Sequence, residues 1–203
     1  MKTVIFTQRV EIIESYNERR DCADQRIAEF IKECGFLPIP IPNNPDILND
    51  AISQIEPCGI ILTGGNSLVK YGGNAPERDS TDKALIEIAI NQKIPLYGFC
   101  RGMQSILDYF GQTLQNIKNH VAVRHLLESD IWQEREVNSY HNQACLNIEN
   151  TDLTILAKTS DGVVEAITHK NYNIAATMWH PERETTFDKR DIEFVQKLFL
   201  RRE

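Results

Sequence analysis

The chain lacks any paired-cysteine framework. Its five cysteines, Cys22, Cys34, Cys58, Cys100 and Cys145, are odd in number and widely spaced, with no CxxC pair. That spacing suggests neither a disulfide scaffold nor a zinc site. Also missing is any apolar run near the ~20 residues that a membrane-spanning helix needs. The apolar part of MKTVIFTQ is too short for a signal peptide and reads as a first strand. Nor is there an excess of basic charge: 22 Lys and Arg stand against 29 Asp and Glu, a net charge of -7. A basic face for nucleic acid or an acidic membrane is therefore not expected, and clusters such as NERRD mix signs. Linkers, repeats and low-complexity segments are absent too. The expectation is a single cytoplasmic domain over residues 1–203.

What is present is ordinary globular composition, with 41% hydrophobic and 25% charged residues, in a chain long enough for a sizeable core. Short β-branched runs alternate with helical periods. TVIF reads as a strand, and Asp24 to Cys34 follows with Ile27, Phe30 and Ile31 on one helical face. LPIPI is a strand whose prolines place it at a sheet edge. NNPDILNDAISQI carries Asn44 as N-cap and Pro45 at the first helical position. CGIIL and IPLYGF are continuous apolar runs, as in strands buried on both faces. Helices are expected from about Asp79 to Gln92, from Arg101 to about Phe110, and from Lys189 to Leu200. This order predicts an α/β fold with a doubly wound, mostly parallel sheet. Past Gln112 come extra strands: VAVRHLL, REVNSYH, ACLNIE, TILAKT, GVVEAI and NIAATMW.

Four of the cysteines read as small apolar residues. Cys100 stands apart, in Gly98-Phe99-Cys100-Arg101-Gly102. This is a nucleophile-elbow pattern with a thiol in place of a hydroxyl. A strand-to-helix turn so tight leaves no room for side chains two residues either side, and it sets the sulfur at a helix N-terminus, which favours thiolate. The pentapeptide alone is equally compatible with a buried cysteine in a glycine turn, so a base must be found. Among five histidines, His180 has context: IAATMW leads to it as a strand, Pro181 stops the strand, and Glu182 is placed to orient the ring. Acyl transfer also needs oxyanion donors. The N–H of Arg101 is one, and Gly64-Gly65, directly after CGIIL, exposes others at the sheet edge where ligands bind.

Together, GFCRGMQ, WHPE and LTGG resemble the class I glutamine amidotransferases along nearly the whole chain. The resemblance implies a flavodoxin-like sheet and a triad of Cys100, His180 and Glu182. It implies Gly65 and Arg101 as oxyanion-hole donors, with Gly64 beside them, and Gln104 as a support for the γ-glutamyl group. VNSYHNQ is similar to the strand that grips the glutamate α-amino and α-carboxylate groups, implicating Asn138, Ser139, Tyr140 and His141. Many relatives carry glutamine where Met178 stands. The CRG elbow, the NSxHxQ pattern and ERD ahead of a helix resemble the γ-glutamyl hydrolase branch, of the γ-glutamyl-GABA hydrolase type.

The charged stretch TQRVEIIESYNERRDCADQR reads as a long connection starting at the active-site edge. It is either a solvated helix start or a loop in which Arg9, Tyr16, Asn17, Glu18 or Arg19 reads the leaving group. It resembles enzymes acting on γ-glutamyl-CDP-amidate in capsular phosphoramidate synthesis. The implied reaction is hydrolysis of a γ-glutamyl amide through a glutamyl thioester, with no metal, no organic cofactor and no synthetase partner. A glutaminase subunit feeding ammonia to a separate synthetase is the alternative, and a non-catalytic binding protein on the same fold is a third reading.

Overall fold

Strand-forming and helix-forming segments alternate as expected in the computed structural model, which describes residues 1–200. The chain runs β1 (Thr3–Phe6), β2 (Arg9–Ile13), β3 (Glu18–Cys22), α1 (Gln25–Glu33), β4 (Leu37–Pro40), α2 (Leu48–Ile55), β5 (Gly59–Leu62), α3 (Pro76–Gln92) and β6 (Leu96–Phe99). It continues through α4 (Arg101–Tyr109), β7 (Gln115–Asn116), β8 (Val121–Leu126), β9 (Glu136–Tyr140), β10 (Gln143–Ala144), β11 (Leu153–Lys158), β12 (Val164–His169), β13 (Ile174–Thr177) and α5 (Lys189–Leu200).

The central sheet has the order β11-β12-β13-β6-β5-β1-β4. From β13 to β4 all neighbours are parallel, whereas β11, β12 and β13 pair antiparallel. The apolar runs GIIL and LYGF lie in the middle, buried at every residue. Pro38 and Pro40 fall on β4, the outermost strand, where a missing N–H costs no ladder bond. One face of the sheet packs against α2, α3 and α4 through Leu48, Leu85 and Met103. The other packs against α1 and α5 through Phe30, Ile31 and Phe199. Gly59 permits the close seating of α5, since a Cβ there would lie 2.7 Å from the Phe199 ring. No helix among the described residues is long and apolar enough to cross a membrane.

Four local expectations need correction. The charged segment after β1 is neither a loop nor a helix start; it folds as the antiparallel hairpin β2–β3, with Arg9 opposite Cys22 and Ile13 opposite Glu18. Helix α3 begins at Pro76 rather than near Asp79, because proline is well suited to the first helical position. Asn44 does cap, accepting from Asp46 N–H, but it caps a 3-10 turn (Pro45–Ile47) that precedes α2. ACLNIE leaves its strand after Ala144, and the Gln112 amide then pairs with the backbone of Glu149.

Candidate active site

The C-terminal ends of adjacent strands β6 and β13 place the first two residues of the site. β13 pairs with β6 so that Thr177 lies opposite Phe99, and Cys100 N–H donates to Thr177 O at 2.9 Å. The thiol-bearing residue and the segment leading to His180 are thus fixed to each other by sheet register. Cys100 sits at φ 51°, ψ -110°, a conformation costly for a residue with a Cβ. The glycines either side are sterically required. A Cβ at Gly98 would lie 2.7 Å from Gly102 C, and one at Gly102 would lie 2.0 Å from Leu62 O.

His180 is buried, and its Nδ1 meets Glu182 Oε1 at 2.7 Å. Gly64 lies against both residues, since a Cβ there would stand 2.7 Å from His180 Cε1 and 3.5 Å from Cys100 Cβ. Burial works against the imidazolium, but the Cys100 sulfur and then Glu182 outweigh it and push the His180 pKa up to about 10. Phe99 packs edge-on to the His180 ring, and so does Tyr140 from the opposite strand system.

The Gly64-Gly65 loop is shaped from behind by Arg78, a side chain with no exposure. Its guanidinium donates to Thr63 O at 2.8 Å, Gly64 O at 2.8 Å and Gly65 O at 2.6 Å. In a trans peptide the carbonyl and the following N–H point in opposite directions. Turning Gly64 O to Arg78 therefore turns Gly65 N–H away from it. Burial and the nearby Arg101 lower the Arg78 pKa to about 9, which leaves it cationic at neutral pH. Arg101, expected only as a backbone donor, also has a fully buried side chain that ion-pairs with Asp82 and, at 2.5 Å, with Asp79. This fastens the first turn of α4 to α3.

In front of Cys100 lies a cavity of ≈ 390 Å³, bordered by Gly65, Arg101, Gln104, Tyr140, His180 and Arg183. Gln104 borders it while its amide holds Gln143 O at 2.9 Å. Three residues expected to grip substrate have side chains that contact the scaffold. Asn138 Nδ2 donates to His180 O at 2.9 Å, and its Oδ1 accepts from His180 N–H at 3.0 Å. Ser139 is wholly buried and donates its hydroxyl to His120 O at 2.7 Å. His141 lines the cavity, yet its Nε2 is directed at Glu165 Oε1, 3.4 Å away. Buried polar groups are hydrogen-bonded, and the adjacent β9 residues Asn138 and Ser139 meet that need with the carbonyls of His180 and His120.

The β2–β3 hairpin stands at the rim. Asn66 binds it from both sides, accepting from Val10 N–H at 2.8 Å and donating to Val10 O at 3.0 Å. Arg9 lies against Gly65, whose Cβ would meet the Arg9 side chain at 3.1 Å. Tyr16, Asn17 and Glu18 lie at the exposed far turn, and Arg19 is tied to Glu77 and to Asn74 O. Of the five, only Arg9 borders the strand-end cluster, where a small cleft is lined by Arg9, Gly64, His180 and Glu182. Sequence reasoning cited Arg78 and Asp79 only within the ERD pattern, with no role in shaping the site, and missed Asp82. The signal for Arg78 and Asp82 was charge at buried positions of the helix that also buries Leu85, Ile86 and Ile88.

A thiol on a strained elbow, facing a carboxylate-oriented histidine and glycine N–H groups at the sheet's carboxyl edge, is equipped for acyl transfer through a thioester. Residues 20–199 match the glutamine amidotransferase class-I model, and the chain belongs to that family. It is 35% identical over 200 residues to a γ-glutamyl-CDP-amidate hydrolase of Campylobacter jejuni, covering 96% of each chain. It is 26% identical to a γ-glutamyl-γ-aminobutyrate hydrolase of Escherichia coli O157:H7, covering 90% of this chain and 88% of that one. The fold is similar to the crystal structure of a glutamine amidotransferase from Thermotoga maritima, with TM-score 0.64, 16% identity, and 97% and 84% of the two chains covered.

Proposed function

We propose that the chain is a stand-alone cysteine hydrolase of γ-glutamyl amides, working as one domain in the reducing cytoplasm, where its thiol stays free. The carrying observation is the convergence of Cys100, His180 and Gly64 at adjacent strand ends, with Glu182 behind the histidine. Cys100 thiolate attacks the γ-carbonyl carbon. The oxyanion is received by the N–H groups of Gly65 and Arg101, each such donor typically worth ~3 kcal/mol. As the C–N bond breaks, His180 gives its proton to the departing amine nitrogen, leaving a glutamyl thioester. Neutral His180 then takes a proton from water, whose oxygen attacks the thioester. Glutamate leaves, and thiolate and imidazolium are restored. Glu182 holds the ring in orientation throughout. Gln104 and Tyr140 border the space for the glutamyl group.

The leaving group lies toward Arg9 and Arg183. Arg183 stacks over the Tyr140 ring at 4.3 Å, a cationic edge beside the cavity. Two cations at the exit suit a phosphate-bearing amine, in keeping with the C. jejuni relative. The proposed substrate is a γ-glutamyl phosphoramidate nucleotide such as γ-glutamyl-CDP-amidate. The test is to incubate the protein alone with this nucleotide, γ-glutamyl-GABA and glutamine, and to measure glutamate release. Fast turnover of the nucleotide without a partner supports the proposal. Turnover of glutamine alone, and only after a synthetase is added, identifies a glutaminase subunit instead.

A further inference from the structure

Glu165 has no exposure, and neither of its carboxylate oxygens accepts a hydrogen bond among the described residues. A buried, unsatisfied carboxylate costs several kcal/mol unless a cation meets it. Three imidazoles surround it. His120 Nδ1 and His125 Nε2 each lie 3.5 Å from Glu165 Oε1, and His141 Nε2 lies 3.4 Å from the same atom. None of these contacts is a hydrogen bond, and all three nitrogens are otherwise unpartnered.

The outer nitrogens decide what the inner ones carry. His120 Nε2 lies 3.0 Å from Asp161 Oδ2, an acceptor, so Nε2 holds the proton. His141 Nδ1 faces Gln143 O at 3.3 Å, again an acceptor, so Nδ1 holds the proton. In their neutral forms, both rings therefore turn bare lone pairs toward a carboxylate. Lone pairs repel a carboxylate; only a positive charge between them makes the arrangement favourable. Protonating the rings instead would bury several like charges side by side, with ring centroids only 4.5 Å and 5.0 Å apart.

We infer that His120, His125, His141 and Glu165 form a tetrahedral zinc site. The four ligand atoms lie within 4.8 Å of one another. Zinc–ligand bonds of about 2.0–2.1 Å give a tetrahedron edge of about 3.4 Å, matching the three nitrogen–oxygen separations. Imidazole-rich sites suit zinc, and four protein ligands make a closed, structural site. Asp161 and Gln143 O complete it as the outer partners that orient ligating histidines. Asp161 is itself held by Thr159 Oγ1 at 2.5 Å.

The site's place in the fold gives it a task. His120 and His141 flank the β8–β9 hairpin, His125 lies within β8, and Glu165 is on β12 of the central sheet. The metal ties the hairpin to the sheet, and the hairpin carries Asn138 and Tyr140 to the His180 side of the cavity. Spacing in the sequence hid the cluster, since its ligands come from distant segments.

The test uses the full chain grown with zinc, with metal content measured by mass spectrometry and thermal unfolding followed in parallel. The expected result is one zinc per chain, lost in His125→Ala and in Glu165→Gln. Strong chelation should lower the melting temperature by several degrees, with recovery on adding zinc. Cobalt replacing the zinc should give the intense visible bands of a tetrahedral ion. His125 is only partly buried, so its alanine variant should fold, and metal uptake by the wild type needs no variant. A wild-type chain that carries no stoichiometric metal and binds neither zinc nor cobalt overturns the inference. So does full retention of metal in both variants.

Discussion

Asn138 holds His180 by both ends of its backbone, donating to the carbonyl and accepting from the N–H. The side chain of one residue thus does for His180 what a neighbouring strand would do. It also donates to Glu184 Oε1 at 2.9 Å, which steadies the turn after the histidine. Replacing Asn138 by alanine leaves two buried backbone groups unpaired, at about 1–3 kcal/mol each. Stability should fall accordingly. The kcat should fall by one to two orders of magnitude, with KM changed much less, because the base is displaced and the cavity is not. Steady-state kinetics beside thermal unfolding check this. An unchanged kcat in a destabilised protein would show that His180 is positioned without Asn138.

The coupling of His180 to Cys100 has a pH signature. Its folded pKa, about 10, lies above the ordinary 6.5. A group with a raised folded pKa lends stability that is complete below the unfolded value and is lost as pH rises through the folded one. The wild type should therefore lose stability progressively between about pH 6.5 and pH 10. In Cys100→Ala the sulfur's contribution is gone while burial still disfavours the imidazolium, so the slope should flatten. Melting temperatures of both proteins across that range, and the His180 proton shifts by NMR, are the measurements. Equal slopes would contradict the ion-pair picture. Hydrolysis by the alanine variant at the wild-type rate would sink the thioester route altogether.

Arg78 supplies three donors to three successive carbonyls, a geometry that the lysine ammonium cannot copy. Arg78→Lys should leave the sheet intact but loosen the Gly64-Gly65 loop. The expected outcome is a drop in kcat of tenfold or more, about the loss of half an oxyanion donor or greater. Thiol alkylation of Cys100 should change little, since alkylation forms no oxyanion. Comparable losses in both assays would place the effect at the thiol instead.

Arg9 gives the simplest probe of the leaving group. It is half-exposed, paired with Glu11, and stands beside Gly65 at the rim. Arg9→Ala should raise KM for a γ-glutamyl phosphoramidate nucleotide roughly tenfold, about the value of one charge-assisted hydrogen bond. KM for γ-glutamyl-GABA should move little. An equal effect on both substrates would remove Arg9 from leaving-group recognition.

Much of this molecule is legible in its sequence, and the boundary follows interaction range. The elbow, the strand-end histidine and the TGG loop declare themselves because each requirement is local: two glycines flank a bend, and a proline ends a strand. Edge prolines on β4 and the apolar runs of β5 and β6 are equally local. Arg78 and Asn138 were harder. Their importance depends on which carbonyls lie opposite, and that is decided by the packing of α3 behind β5 and of β9 beside the turn after β13. The N-terminal hairpin was hidden for another reason. ERRDC is charged and exposed at almost every residue of β3, so it shows no alternation of apolar residues to identify a strand.

Trp179 donates its indole N–H to Asp191 at 3.0 Å, and Arg135 reaches the same carboxylate at 2.5 Å. The residue next to His180 is thereby moored to α5. During synthesis, Cys100 and its elbow leave the ribosome long before that helix exists. Strand register and Asn138 set His180 beside Cys100 without that helix, but the mooring of Trp179 waits for it. The last helix to be made thus braces the residue beside the base; it does not create the site.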